Sequence, residues 1–511
     1  MEALVPLLVA GPLGMGFVVV VLAHVKGAKR FTGALGAAAV LANLAISFSL
    51  LGVDLKPMFV GGWGPDNAIG IQIVCDGLSQ LMAVIINLVA LAAFIFAGAY
   101  MRRFTRVWLF EALFLLMTAA MNGVVISGDL FNMYVFIEVA AIASYGLVAF
   151  GCESEELEAA FKYLVLGVVA STFILTAIAV LYSVTGQLNM ARISAALAEG
   201  KLTTSPAVLL ATACLLGGLA LKSAMVPFHA WLPDAHPSAP APISAMLSGV
   251  LIKAAGVYAL ARVVFNVLGP NEACAAILIV LGTTSMVIGV FLAVGQWDFK
   301  RLLAYHSISQ MGYVVLALGA GAGVLARGGS EAVAGLCLFG GLFHMFNHAA
   351  FKSLLFLASG SIEQQTGTRH LKELGGLAKN MPFTSLCCRI GALSIAGVPP
   401  FNGFFSKLII IVALAVAGYP VLAALAVLVA LMTLISFIKV QRYALEGEPG
   451  TEATASAREA PVLMCVGLAI LAVVCCVGGL AMVPLKDYLF GDAGKTLLQM
   501  TKALGMMGVP Q

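Results

Sequence analysis

Five lysines lie in or beside long apolar stretches of this chain: Lys162, Lys222, Lys253, Lys352 and Lys407. An amine can carry a proton, which makes each of them a candidate for proton-transfer chemistry. Facing lipid, a central lysine costs about 2.5–3.5 kcal/mol on insertion scales. We therefore expect these side chains to face a protein interior, water or an acidic partner. For each of them, and most of all for Lys162 and Lys352, the alternative is a side chain that extends from a helix end to the membrane surface.

Glu138 is an isolated carboxylate in an apolar stretch, and it needs a partner or it will bind a proton. Lys222 is the best candidate, since it lies in a similar stretch just before Val226-Pro227. A Glu–Lys pair that opens and closes can load and release a proton. The alternative is a static buried ion pair.

Three histidines extend this set of titratable groups. His344, His348 and Lys352 are four residues apart, so they share one face of a helix. His306 lies beside several Ser and Gln residues at the start of another apolar stretch. Titratable groups bridged by water form a proton wire. A zinc or haem site is the alternative, but neither an HExxH motif nor a third ligand accompanies the HxxxH spacing.

Two proline-containing segments interrupt the apolar stretches. Residues 226–242 contain five prolines, His229 and His236, and cannot remain a regular helix. The long stretch 382–419 contains Pro399-Pro400 and should form two half-helices. We expect polar groups at both breaks to contact water or protein, although the two histidines could instead have a fixed packing role.

The elements that position these residues must be membrane helices. Hydrophobic residues make up 61% of the 511 residues and charged residues 10%, against about 45–50% and 25% in soluble domains. This composition excludes a soluble enzyme, a disordered chain and a secreted disulfide scaffold. We predict an all-α polytopic protein with fourteen transmembrane helices. The predicted spans are 3–24, 31–51, 75–99, 107–126, 130–150, 160–185, 206–225, 240–264, 272–295, 302–323, 332–360, 382–419, 420–442 and 461–484.

Two motifs recur in the same order in both halves of the chain. Ala-Ala-Phe-Lys occurs at 159–162 and 349–352, and Val-Pro followed by Phe occurs near 226 and 398. We infer two five-helix repeats with broken helices 7 and 12, and the odd number of helices inverts the second repeat. The predicted divisions are 1–106 (helices 1–3), 107–264 (first repeat), 272–442 (second repeat) and 461–511 (helix 14 and tail).

Positive charge indicates the orientation of the chain. One set of predicted loops holds fifteen Lys and Arg residues, and the opposite set with the C-terminal tail holds eight. The more basic loops are expected in the cytoplasm, which places both termini on the non-cytoplasmic side of a prokaryotic cell membrane. The ten cysteines form no CxxC motif, so we expect neither an iron–sulfur nor a structural zinc site. No cofactor, metal or nucleic acid is expected.

Three long motifs identify a family resemblance. They are LKSAMVPFHAWLPDAHPSAPAPISA at 221–245 with LIKAAGVY at 251–258, FHMFNHAAFKSLLF at 343–356, and VPPFNGFFSK at 398–407. They resemble the antiporter-like membrane subunits of respiratory complex I, Mrp-type sodium/proton antiporters and membrane-bound hydrogenases. The resemblance implies fourteen core helices in two inverted repeats, and proton translocation coupled to a partner's redox chemistry or to sodium exchange.

The resemblance also implies roles for single residues. Glu138 corresponds to the family's helix-five acid, Lys222 to its helix-seven lysine and Lys253 to the central basic residue of helix eight. Lys407 occupies the helix-twelve position near the exit, whereas His344 and His348 match by motif only.

We therefore expect an ion-translocating subunit of a larger membrane complex, with protons, possibly sodium, other membrane subunits and lipid as its partners. This chain shows no redox site of its own, so an oxidoreductase activity would belong to its partner subunits. The alternatives are a stand-alone secondary solute transporter and an electron carrier with bis-histidine haem ligation.

Overall fold

Apolar segments in lipid must satisfy their backbone hydrogen bonds internally, and helices do so. The computed structural model describes residues 1–62, 70–480 and 491–498. The chain is an all-α integral membrane protein, with twelve helices in this described part that are long and apolar enough to cross a bilayer. They are α1 (Leu7–Ala23), α2 (Thr32–Leu50), α3 (Gly77–Tyr100), α4 (Val107–Ile126), α5 (Leu130–Val148), α6 (Ser154–Thr185), α8 (Ala241–Leu268), α9 (Glu272–Val294), α10 (Phe299–Ala326), α11 (Glu331–Thr366), α13 (Pro420–Leu445) and α14 (Val462–Leu480).

Both predicted helix breaks are present. The first separates α7a (Pro206–Lys222) from α7b (Leu232–Ser238), and the second separates α12a (Pro382–Ala396) from α12b (Asn402–Val416). Helices α12a and α12b share the predicted span 382–419, whereas α7b lies in the proline-containing segment 226–242 that follows the predicted span 206–225. Three of these four are apolar but shorter than a full crossing, so the count of fourteen spans stays a prediction.

Equivalent features recur at the starts of α5 and α10. Asp129 accepts a hydrogen bond from a backbone N–H in the first turn of α5 (2.8 Å), and Asp298 does the same in α10 (2.9 Å). Each aspartate also lies in a single antiparallel bridge, with Asn189 after α6 and with His370 after α11. These parallels support two repeats, whose boundaries and inversion stay a prediction.

Two membrane helices are longer than their predicted apolar spans. Helix α6 begins before the predicted residue 160 because Glu153 and Glu156 form a capping box at its first turn. Helix α11 continues past the predicted residue 360, and its last turns include Glu363, which pairs with Lys300. Ion pairs and caps therefore extend both helices beyond the apolar sequence.

Several basic residues counted as loop residues lie inside helices, among them Lys300 and Arg262. Lys300 is in the first turn of α10, and Arg262 is near the end of α8, paired with Asp76 at 2.5 Å. Burial opposes ionisation of Asp76, but the Arg262 guanidinium outweighs it and holds the pKa of this carboxyl below its usual value. Lys486 and Lys502, also counted, lie outside the described residues. The sides of the termini therefore stay a prediction.

The Gly- and Pro-containing segment 52–73, in which Ile69, Ile71 and Ile73 alternate, predicts a short hairpin, and residues 188–203 predict a short surface helix. The hairpin is present before α3. Its strands β1 (Met58–Phe59) and β2 (Gln72–Ile73) pair antiparallel, and Ile69 of the predicted alternation lies outside the described residues. The predicted surface helix at 188–203 is Met190–Glu199. The other short helices are Glu2–Leu4, Lys29–Phe31, Val60–Gly62, Met101–Arg103, Leu371–Glu373, Leu377–Asn380, Glu452–Ala455 and residues 491–498.

Candidate functional site

Glu138 and Lys222 form an ion pair beside the first break. The Lys222 Nζ lies 3.1 Å from the Glu138 Oε1, and the Ser171 hydroxyl donates a hydrogen bond of 2.5 Å to the same oxygen. Lys222 is the last residue of α7a, where the negative end of the helix dipole also favours a cation. Its side chain is 7% exposed and that of Glu138 is 24% exposed. The pair is therefore held at a helix end and lies near the protein surface.

Lys253 is fully buried in α8. Its ammonium donates to the Ser248 carbonyl at 2.6 Å. Residues 247–258 have π-helical geometry, which is rare and occurs often at functional sites. A Cβ at Gly256 would lie 2.8 Å from the Ser223 backbone, so α8 packs directly on the break that follows Lys222.

The face of α11 that carries His344, His348 and Lys352 is buried. His344, His348 and Lys352 have no exposed surface. The His344 Nδ1 lies 2.9 Å from the Ser406 hydroxyl. Within residues 1–62, 70–480 and 491–498, neither nitrogen of His348 nor the Lys352 Nζ has a hydrogen-bond partner. Buried polar groups need partners, so water is the natural bridge between these atoms.

His306 of α10 is also buried, and among the described residues it has no hydrogen-bond partner. It is fully buried against the Phe437 ring (5.0 Å between centroids), and both ring nitrogens lack a partner in the part of the chain that the structure describes. The Gln310 amide, one turn later, lacks one as well. The charges of Lys352 and Lys407 act on His306. His306 therefore lies near these two lysines.

Lys407 is buried beside the second helix break and hydrogen-bonds to the backbone there. It is 3% exposed, and its Nζ donates to the Ile395 carbonyl of α12a at 2.7 Å. This carbonyl is freed because α12a ends at Gly397, which has a φ of 77°. A Cβ at Gly403 would lie 1.8 Å from the Ser394 carbonyl oxygen, so only glycine lets the two half-helices meet. The break thus supplies the hydrogen bond of a buried ammonium.

The predicted site residues fall into two groups. The charges of Lys253, Lys352 and Lys407 all act on His348, so the second group is one connected cluster. The charged neighbour of Lys222 is Glu138, and this pair meets the cluster through the packing of α7a on α8. Lys162 joins neither group, since it is 47% exposed and pairs with Glu158 (2.8 Å) and Asp234 (3.0 Å).

Two charged side chains that the sequence interpretation did not single out, Lys300 and Glu363, are largely buried. Lys300 and Glu363 form an ion pair of 2.7 Å. His236, which the sequence places only at the first break, is fully buried, and both its ring nitrogens lack a partner among the described residues. Glu363 follows Lys352 by eleven residues, which is about three helical turns on the same face, and this spacing could have revealed it.

Comparisons with known proteins agree with this geometry. Residues 127–433 match the NADH:quinone oxidoreductase/Mrp antiporter transmembrane family. The chain is 38% identical to NADH-quinone oxidoreductase subunit N of Desulforudis audaxviator over 82% of each chain. It is 36% identical to a Na(+)/H(+) antiporter subunit of Alkalihalophilus pseudofirmus over 76% of each.

A solved structure has the same fold. A chain of the Mrp complex from Dietzia sp. DQ12-45-1b superposes with a TM-score of 0.88 at 30% identity, and the alignment covers 99% of both chains. The family match covers more than half of the sequence and includes the Glu138–Lys222 pair, both helix breaks and the buried lysines. This chain belongs to the NADH:quinone oxidoreductase/Mrp antiporter transmembrane family.

Proposed function

We propose that this chain translocates ions as a membrane subunit of a larger complex, and that the ion is a proton. One observation carries the proposal: Lys253, Lys352 and Lys407 are buried, and within the described residues none of them forms an ion pair with a carboxylate. Lys253 and Lys407 donate to backbone carbonyls, and the Lys352 Nζ has no hydrogen-bond partner in the described part of the chain. Burial disfavours a charged amine and nearby water favours it, so amines in such a site can exchange protons.

The proposed path follows the two groups of the site. The Glu138–Lys222 pair loads a proton when it opens, and Lys253 on the adjacent helix receives it. His348 lies within reach of the charges of Lys253, Lys352 and Lys407, so it connects the middle of the path to its end. Water completes the contacts of the unpaired ring nitrogens. Lys407 releases the proton at the second break toward the non-cytoplasmic side.

The names of the relatives support a multi-subunit assembly. One is a subunit of NADH-quinone oxidoreductase and another a subunit of a Na(+)/H(+) antiporter. We propose that other membrane subunits supply the driving force, by redox chemistry or by sodium exchange, and that this chain binds no cofactor itself. Both termini are proposed to lie on the non-cytoplasmic side.

The test is proton translocation by the assembled complex in sealed vesicles, measured as the quenching of a ΔpH dye. We expect Lys253→Ala to block translocation, since it removes the junction between the two groups. Lys253→Arg should not restore it because a guanidinium does not release its proton. Lys26→Ala, at an exposed loop position, is the matched control. Wild-type translocation in the Lys253→Arg variant would contradict proton release at Lys253. Transport of a solute by the chain alone would favour a stand-alone transporter.

A further inference from the structure

A cavity of 360 Å³ lies where α6 and α10 begin and α7b and α11 end. Its charged lining consists of Arg103, Glu153, Glu155, Glu156, Lys300, Glu363 and Arg369. The rim reaches the aqueous phase, since the Glu155 side chain is 77% exposed. The helix ends that form this cavity belong to the side that the charge distribution predicts to be cytoplasmic.

The floor of the cavity is the Lys300–Glu363 ion pair. The distance between the Lys300 Nζ and the Glu363 Oε2 is 2.7 Å, and their side chains are 3% and 19% exposed. Lys300 also donates to the Ala239 carbonyl at 3.3 Å, and Arg369, which lies 3.7 Å from Glu363, donates to the Pro237 carbonyl at 3.0 Å. The pair is thus joined to the backbone that directly follows His236.

His236 lies between this floor and the central lysines. It has no exposed surface, and both ring nitrogens are without a hydrogen-bond partner in the described part of the chain. Its ring packs against the Phe356 ring, with 4.9 Å between the centroids, and the Lys352 Nζ lies 5.8 Å from the centroid of the same Phe356 ring. An imidazole can bind a proton at one nitrogen and release one from the other, which makes it a relay rather than a static cation.

We propose that this cavity is an inlet through which protons from the aqueous phase reach the central lysines, with Glu363 as the first acceptor and His236 as the relay. This inference rests on the proposed function and adds a second path of uptake to it. A proton from water binds the Glu363 carboxylate and neutralises it, which frees Lys300 from the pair. Transfer to one His236 nitrogen restores the carboxylate. The imidazolium gives up its other N–H proton to the neutral amine of Lys352, which becomes an ammonium.

The chemistry of the route selects protons over metal cations. Beyond Glu363 it passes Lys300, His236 and Lys352, which bear positive charge or gain it on protonation and would repel Na⁺. In the ranges that the structure describes, no group of three or more His, Cys, Asp or Glu side chains could hold a metal ion. A proton moves between such groups by transfer and needs no such ligands.

The inlet is tested by Glu363→Gln, which keeps the size of the side chain and removes the acceptor. In vesicles containing the whole complex, we expect proton translocation to fall by at least about a hundredfold, the low end for loss of a positioned acid–base group. Glu363→Asp should retain part of it. The control is Glu446→Gln, which removes an exposed carboxylate paired with Arg389 at 3.4 Å. Wild-type rates in Glu363→Gln would overturn the inlet.

A structural role for the ion pair makes a different prediction. If the pair only held the chain after His236, the double variant Glu363→Gln with Lys300→Met would remove both charges and restore translocation. The inlet requires this double variant to stay inactive. His236→Gln should match Glu363→Gln, and combining the two should add no further loss because both act on one path. Restoration in the first double variant, or additive losses in the second, would overturn the proposal.

Cysteine labelling gives a test that does not depend on removing the ion pair. Ser238 lines the cavity, so Ser238→Cys in a Cys152→Ser background should react with a membrane-impermeant maleimide from the cavity side and lose translocation. Labelling that leaves translocation unchanged would overturn the inlet. If Lys253→Ala loses translocation while Glu363→Gln keeps full activity, the inlet is wrong and the proposed function stands. If both variants keep full activity, the inlet and the proposed function are both wrong.

Discussion

The two halves of this protein contain the same motifs, but the lysines in or beside those motifs are neutralised differently. In the first half, Lys222 pairs with Glu138 at 3.1 Å, and Lys162 contacts two carboxylates. In the second half, Lys352 has no hydrogen-bond partner within the described residues, and Lys407 donates to a backbone carbonyl. A lysine with a carboxylate partner can keep its charge, whereas a buried lysine without one must share water or lose its proton.

The Ala-Ala-Phe-Lys motif makes this difference plain. Lys162 follows the first turns of α6 and is 47% exposed, whereas Lys352 lies in the middle of α11 and is fully buried. The same four residues thus end in a surface ion pair in one half and in the buried cluster in the other. Motif identity alone does not assign a transport role; the position along the helix decides which lysine is buried.

The largest expected effect comes from breaking the Glu138–Lys222 ion pair of the first half. Glu138→Gln leaves Lys222 without its carboxylate, and Lys222→Met removes the amine. We expect each variant to lose at least about a hundredfold in translocation, the scale of a lost acid–base group, while the complex still assembles. Dye quenching measures the first result and co-purification of the subunits the second. Normal pumping in either variant would show that the pair is a static feature of the fold.

Substitutions of Lys407, in the second half, should have smaller effects on translocation than those of the Glu138–Lys222 pair. Lys407→Ala removes the terminal amine and Lys407→Arg fixes its charge, so both should lose translocation. Lys407→Glu should retain part of it because another titratable group then occupies the break. The three variants are compared by the initial rate of ΔpH formation in vesicles. An active Lys407→Arg variant would contradict release at this residue and favour a lysine that only reaches a helix end.

Much of this arrangement could be predicted from the sequence because lipid leaves few choices. Helix formation, both breaks and the pairing of Glu138 with Lys222 follow from apolar runs, prolines and isolated charges. Lys300 and Glu363 were missed because they flank the apolar runs, where a charge is usually solvated. Their burial depends on how the ends of α6, α7b, α10 and α11 meet. That is a matter of tertiary packing, which hydropathy does not report.

The smallest expected effect gives the sharpest test of the comparison between the halves. Lys162→Met and Lys352→Met change the same residue of the same tetrapeptide in the same way. Lys162 is exposed and paired at the surface, and such pairs contribute little to stability. Its variant should therefore assemble normally and keep nearly wild-type translocation.

Lys352→Met should lose most of its translocation, since it removes an amine whose charge acts on both His348 and His306. Its fold should tolerate the change, because methionine fills a buried site without requiring a hydrogen bond. Initial rates of ΔpH formation, normalised to the amount of assembled complex, show whether the buried Lys352 and the exposed Lys162 contribute differently to translocation. Equal losses in both variants would mean that surface and buried lysines contribute alike, and the uncompensated charge of the second half would then not explain proton movement.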